Sequence, residues 1–183
     1  MAIRNRNRRP QHLLPHHLIL ILVGFVGIAI SSTASAQKQN ASEEFLAGHN
    51  QARAAVGVGP LKWSMKLATD ASLMVRYQRD KMGCKFADLS KSKYGSNQMW
   101  MSGPVSLATP AAAVGSWVEE KKYYDHATNS CIPNHQCLSY TQVVWNTSSD
   151  LGCAQATCVK PTPTTITICL YDPPGNFIGQ SPY

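Results

Sequence analysis

All six cysteines of this 183-residue chain, Cys84, Cys131, Cys137, Cys153, Cys158 and Cys169, fall downstream of a hydrophobic leader. An even thiol count behind an export signal reads as three disulfides, and such bridges restrict what the chain can fold into more than any other feature here. Six thiols allow 15 connectivities, and these stay open. The turn-rich stretch from Asn129 to Cys137 favours one local bridge, Cys131–Cys137. Metal ligation by the thiols does not fit, because no Cys-x-x-Cys pair has a second pair or a His-x-x-x-His partner.

The leader is residues 1–36. Arg4, Arg6, Arg8 and Arg9 precede an apolar run from Leu18 to Ile30, and Ala34-Ser35-Ala36 follows. The run is too short for a bilayer-crossing helix, which needs about 20 residues, so it reads as a signal peptide cleaved after Ala36 rather than a transmembrane anchor. Residues 37–183 then form one domain, long enough to bury roughly two-thirds of its unfolded surface. Removing the leader takes four arginines with it and leaves a mildly basic domain. No segment arranges Lys and Arg with aromatics as a nucleic-acid groove does, which leaves a mild attraction to acidic walls or membranes.

Ser42, Glu43 and Glu44 predict the start of a first helix, with Phe45, His49, Ala52 and Val56 on one face and Gly57 as its stop. A second helix is expected from Ser64 to Gly83, where Leu67, Ala71, Met74, Val75 and Gln78 recur at helical spacing. From Cys84 to Gly103 the pattern is mostly loop, with a short strand near Asn97–Met101. Thr109-Pro110 opens a third helix reaching about Tyr124, and Ser139–Val144 reads as a short fourth. Leu151–Thr157 and Thr164–Tyr171 alternate as paired strands do, with Val159–Pro163 as the hairpin between them. Helices before strands point to a layered α+β domain instead of a doubly wound sheet.

Four motifs identify a resemblance. Gly48-His49-Asn50-Gln51-Ala52-Arg53 with Val56-Gly57-Val58-Gly59-Pro60-Leu61-Lys62-Trp63 is the first, and Trp117-Val118-Glu119-Glu120-Lys121 the second. Tyr140-Thr141-Gln142-Val143-Val144-Trp145 and Tyr171-Asp172-Pro173-Pro174-Gly175-Asn176 through Pro182-Tyr183 complete the set. Together they resemble the plant pathogenesis-related class 1 branch of the CAP superfamily, and Val75–Lys81 with Tyr94–Trp100 looks closer still to its pistil-expressed subgroup. The resemblance implies a three-layer α-β-α sandwich with bridges Cys84–Cys158, Cys131–Cys137 and Cys153–Cys169.

It also implies a cavity that in the family usually carries two histidines and two glutamates. Only Glu120 is kept; Asp88, Ser96 and Ser139 stand at the other three positions. A cleft without imidazole or thiolate offers zinc poor ligands, so neither a metal nor another cofactor is expected there. Catalysis would require a base beside Ser96 or Ser139, and none of His49, His126 and His135 shares a local motif with a serine. Met99, Trp100 and Met101, with Val105 and Leu107, form an apolar loop of the kind that binds sterols in the family. The tail Pro173–Tyr183 resembles a defence-signalling peptide released by cleavage between Asp172 and Pro173, with Leu170 standing where the family more often has Asn; an ordinary packed closing segment is the other reading. Asn40 and Asn146 open glycosylation sequons.

The expected function is that of a secreted, monomeric, non-enzymatic defence protein of the apoplast or cell wall. Its expected partner is a sterol or other lipid, a wall component or a receptor. A recognition protein of pistil tissue and an extracellular hydrolase are the alternatives.

Overall fold

The computed structural model describes residues 40–159 and 162–183; the leader and its cleavage point, and Lys160-Pro161 of the hairpin, lie outside them. A first helix, α1, covers residues 40–54. There follow β1 (Lys62–Trp63), α2 (Met65–Lys81), β2 (Gly95–Ser102), α3 (Pro110–Val118), β3 (Tyr124–Asp125), β4 (Ser130–Cys131), α4 (Leu138–Val143), β5 (Asp150–Cys158) and β6 (Thr164–Asp172). The sheet runs β1-β5-β6-β2, with β1 parallel to β5 and the other two pairings antiparallel; β3 and β4 form a separate hairpin.

Side chains on β6 sort by parity, as the pleat requires. Ile166, Ile168 and Leu170 pack with Leu67, Ala71 and Val75 of α2. Cys169 and Tyr171 face the opposite core, where Phe45 of α1, Val114 and Trp117 of α3, and Tyr140 and Val143 of α4 meet. Helices thus cover both faces of the sheet, giving the α-β-α sandwich. The α2 layer sits directly on the strand at Gly152, where a Cβ would stand 2.1 Å from the Ala68 nitrogen.

The three bridges are Cys84–Cys158, Cys131–Cys137 and Cys153–Cys169. The first spans 74 residues of sequence and ties the loop after α2 to the end of β5; closing so long a loop removes the most freedom from the unfolded chain.

Local chemistry explains most boundaries. Ser64 caps α2 by accepting from the Leu67 N–H, and Thr109 caps α3 by accepting from Ala112, with Pro110 at the first helical position. Several sequence expectations are corrected. The chain is already helical at residue 40, so Ser42 lies inside α1 instead of ahead of it, and Asn40 is a helical residue bonded to Glu44 rather than part of a loose lead. α3 ends at Val118 and continues as a tighter 3-10 turn over Glu119–Tyr123. The short strand expected near Asn97–Met101 is present and longer: β2 runs eight residues, with Met99 and Met101 packed toward the α3 core and Trp100 facing out, so these three residues belong to a strand and not to an apolar loop.

Candidate functional site

A chain of hydrogen bonds crosses the α1 side of the molecule and contains two of the four residues expected to line a cavity, Glu120 and Ser139. Glu120 Oε2 accepts from the backbone N–H groups of Ser139 (2.9 Å) and Tyr140 (3.1 Å), so its carboxylate closes the start of α4. Asn97 Nδ2 donates to the Ser139 carbonyl at 2.9 Å and to the Tyr171 hydroxyl at 3.1 Å. Tyr171 in turn meets His49 Nε2 at 2.8 Å, and His49 Nδ1 lies 2.7 Å from the Phe45 carbonyl. A carbonyl only accepts, so Nδ1 carries the proton and Nε2 accepts from Tyr171. Both ring nitrogens of His49 are therefore committed.

Burial sets the protonation of this chain. His49 is fully enclosed, and desolvation lowers its pKa from 6.5 to about 4, with the Arg53 charge adding to the effect against the Phe45 bond. Desolvation likewise drives the Tyr171 hydroxyl well above its ordinary value. Imidazole and phenol are both neutral at physiological pH.

Arg53 is the largest of the fully buried side chains. No carboxylate among the described residues meets it; its Nε donates to the Gly59 carbonyl at 2.7 Å, Nη1 to those of Val143 (3.1 Å) and Trp145 (2.7 Å), and Nη2 to that of Ser148 (2.9 Å). The guanidinium thus satisfies carbonyls at the C-terminal end of α4, where a cation also suits the helix dipole. Desolvation lowers its pKa to about 10. Asn50 completes the arrangement by exchanging two hydrogen bonds with the backbone of Leu61. The His49, Asn50 and Arg53 side chains hold the fold together, a role that the sequence pattern revealed for His49 alone.

The other two cavity positions lie apart from this chain. Asp88 is exposed in the loop after α2, where the Ser90 hydroxyl first, and then the Ser90 N–H at 3.1 Å, lower its pKa. Ser96 pairs with Leu170, whose side chain belongs to the α2-side core, whereas its neighbour Asn97 points to Ser139. The structure brings together Glu120 and Ser139, and no hydrogen bond among the described residues joins them to Asp88 or Ser96. No group of three or more His, Cys, Asp or Glu among the described residues could hold a metal ion. Nor does an imidazole among the described residues make a hydrogen bond to the Ser96 or Ser139 hydroxyl; a serine–histidine contact does form between Ser181 and His126 at 3.4 Å, and it is exposed.

The tail after β6 is extended but packed. Thr141 donates to Asn176 Oδ1 at 2.6 Å, Asn176 donates to the Leu138 carbonyl, the Gly175 N–H meets Gln142 Oε1, and Ser148 donates to the Pro173 carbonyl. Tyr183 stacks on His126 with ring centroids 4.2 Å apart and shares a hydrogen bond with Tyr140. Of the two readings of this segment, the contacts favour the packed one, with the side chains of Thr141, Gln142 and Ser148 supplying the anchors. Asp172 and Pro173 are exposed. Asn146 is exposed too, in the turn after α4, while the Ser148 hydroxyl of its sequon is occupied by Pro173 and Gln142.

A groove of about 560 Å³ lies between α1 and α3. Ala47, Gly48, Ala52, Ala55, Val114 and Val118 form its apolar walls, and Glu44, Gln51 and Lys121 stand among the lining residues.

The fold and the bridges agree with one sequence family: residues 46–171 match the CAP family, described as the cysteine-rich secretory protein family. The chain belongs to this family. It is 57% identical over 143 residues to the STS14 protein of Solanum tuberosum, a match covering 78% of this chain and 65% of that protein. Against Pathogenesis-related protein 1B of Nicotiana tabacum it is 41% identical over 177 residues, 97% of this chain and 96% of the relative. Among solved structures, Schistosoma mansoni venom allergen-like protein 4 aligns with a TM-score of 0.57 at 25% identity, covering 78% of this CAP chain and 93% of the other. Na-ASP-1 shares the fold at a TM-score of 0.61 and 23% identity, covering 78% of this chain and 41% of that one. Pathogenesis-related names recur among the plant relatives, STS14 apart, which places this CAP domain in a defence-related family.

Proposed function

We propose that this CAP domain is exported by its leader and acts in the apoplast as a monomeric, non-enzymatic defence protein that binds a sterol or other lipid in the groove between α1 and α3. The groove carries this reading. Its volume falls in the range of small-molecule sites, about 300–1,000 Å³, and its walls are alanine, glycine and valine, with polar groups available to fix a ligand's one polar end. Met99 and Met101 serve the core, so the lipid role passes from the expected 99–101 segment to this groove, with only Trp100 of that segment presented to solvent.

The absence of catalysis in this reading rests on the commitments of the reactive groups. His49 has both nitrogens engaged, Glu120 closes a helix, and the Ser139 and Ser96 hydroxyls lack a base. Release of the Pro173–Tyr183 segment is a second element, supported by the exposure of Asp172 and Pro173. Equilibrium binding of a fluorescent sterol and a fluorescent fatty acid tests the lipid reading. Saturable binding that Ala55→Trp abolishes supports it; binding unchanged by that substitution, or none, overturns it.

A further inference from the structure

Charge in this protein is divided between the two sides of the sheet. Lys62, Lys66, Arg76, Arg79, Lys81, Lys85, Lys91 and Lys93, eight of the 13 Lys and Arg residues beyond Ala36, lie between positions 62 and 93, against only Asp70, Asp80 and Asp88 among ten carboxylates. The stretch carries an excess of five positive charges, and all eight cations are exposed. Spread over 32 residues they do not form a basic run. The fold collects them: α2 forms the outer layer on its side of the sheet, and Lys66 reaches across to the Tyr94 hydroxyl at the end of the following loop. Lys66 and Lys93 both stand 5.0 Å from the Tyr94 ring centroid. Gln98 pins the loop to β2 through two bonds with the Ala87 backbone, at 2.8 and 2.9 Å.

Large apolar side chains stand on the same side. Met65 (59% exposed), Leu73 (56%) and Tyr77 (56%) project from α2, Phe86 (58%) from the loop, and Trp100 (51%) from β2. The pleat places Trp100 on the α2 side, since it pairs with Ile166 of that core. Salt bridges occupy only part of the charge: Lys66 with Asp70 and Arg79 with Asp80. Lys62, Arg76, Lys81, Lys85, Lys91 and Lys93 form none among the described residues.

We propose that the outer face of α2, the 85–93 loop and Trp100 together form a docking surface for a lipid bilayer bearing anionic headgroups. Positive charge alone would suit any polyanion. Exposed Met, Leu, Phe and Trp between the cations favour the bilayer, because such side chains seat at the headgroup boundary, whereas a hydrated acidic polysaccharide offers Met and Leu no apolar phase to enter. Each Lys or Arg near an anionic surface contributes about 1 kcal/mol, enough in sum for reversible attachment without insertion. This surface lies across the sheet from the α1–α3 groove, so the two binding events are independent.

Sedimentation of the processed protein, purified from culture medium, with phosphatidylcholine vesicles made with and without phosphatidylserine tests this. Binding is expected only to the anionic vesicles, with a blue shift of Trp100 emission that Trp100→Phe removes. It should weaken steeply as salt shortens the screening length from about 30 Å at 0.01 M to about 8 Å at physiological strength. The combined Arg76→Gln, Lys85→Gln and Lys91→Gln variant should lose roughly 100-fold in partitioning, and Lys122→Gln, a cation at the α3 end, should lose little. Equal binding to neutral vesicles, salt-independent binding or no binding overturns the proposal, and so does capture by polygalacturonate without capture by vesicles. Should the triple variant fail to fold, the salt series on the unaltered protein decides. Filling the groove with Ala55→Trp leaves this readout untouched, so its failure and that of the groove are separable.

Discussion

His49 of α1 accepts a hydrogen bond from Tyr171 of β6 at 2.8 Å, joining residues 122 positions apart inside a core that excludes water from both. An imidazolium there would lose its hydration and could no longer accept from the phenol. The unfolded chain takes up this proton near pH 6.5, the folded one only near pH 4. The contribution of His49 to stability is therefore complete above about pH 6.5 and is lost as pH falls toward 4, by about 3 kcal/mol in total. Urea unfolding at pH 7.5, 5.5 and 4 should show this decline, and His49→Gln should flatten it. An unchanged slope in the variant would contradict the assignment.

Arg53→Lys should cost about 2–4 kcal/mol. An ammonium cannot span the carbonyls of Gly59, Val143, Trp145 and Ser148 at once, and each buried carbonyl left without a donor costs about 1–3 kcal/mol. Thermal denaturation measures it, and a loss below 1 kcal/mol would mean that the carbonyls find other donors.

Gly152→Ala should destabilise by about 2–3 kcal/mol, because the new methyl meets the α2 backbone at Ala68 rather than a movable side chain. Gly59→Ala, where nothing lies within 4 Å of a new Cβ, is the control and should be nearly neutral.

Calorimetric titration with zinc should show no site of micromolar affinity or tighter, since Glu120 is spent on the Ser139 and Tyr140 amides and no imidazole stands beside it. Glu120→Ala should instead cost about 1 kcal/mol as a lost helix cap. One zinc bound per chain would refute this account of the cavity.

Cleavage between Asp172 and Pro173 should not by itself free the tail. The bonds from Thr141, Gln142 and Ser148, with the Tyr183–His126 stack, hold the segment along α4. After limited proteolysis at that junction the 11-residue peptide should co-elute with the body on gel filtration and separate only under denaturing conditions. Immediate separation would show that these contacts are too weak to retain it.

The long periodic elements were legible in the sequence. Ser64 and the 67-71-75-78 spacing gave α2 to within two residues, and the β-branched runs gave β5 and β6. β1, β3 and β4, at two residues each, are too short to carry a period, and their pairing depends on distant partners. β2 was half-hidden because Gly95, Ser96 and Asn97 lack strand propensity; its register comes from β6. In the site, Glu120 and Ser139 were identified as neighbours, but the partners of Glu120 are amides 19 and 20 residues downstream, which no motif announces. Arg53 was the clearest omission, because a guanidinium reads as solvent-facing until four carbonyls converge on it. The basic face escaped for a related reason, as its cations become neighbours only when the loop folds back beside α2.

β6 has eight of its nine residues buried, packed by helices on both faces and flanked by strands at both edges. A strand so enclosed leaves evolution almost no latitude, for any new side chain must be tolerated by two cores at once. Room for substitution lies instead at the periphery of the domain, in the exposed helix faces, the 85–93 loop and the tail.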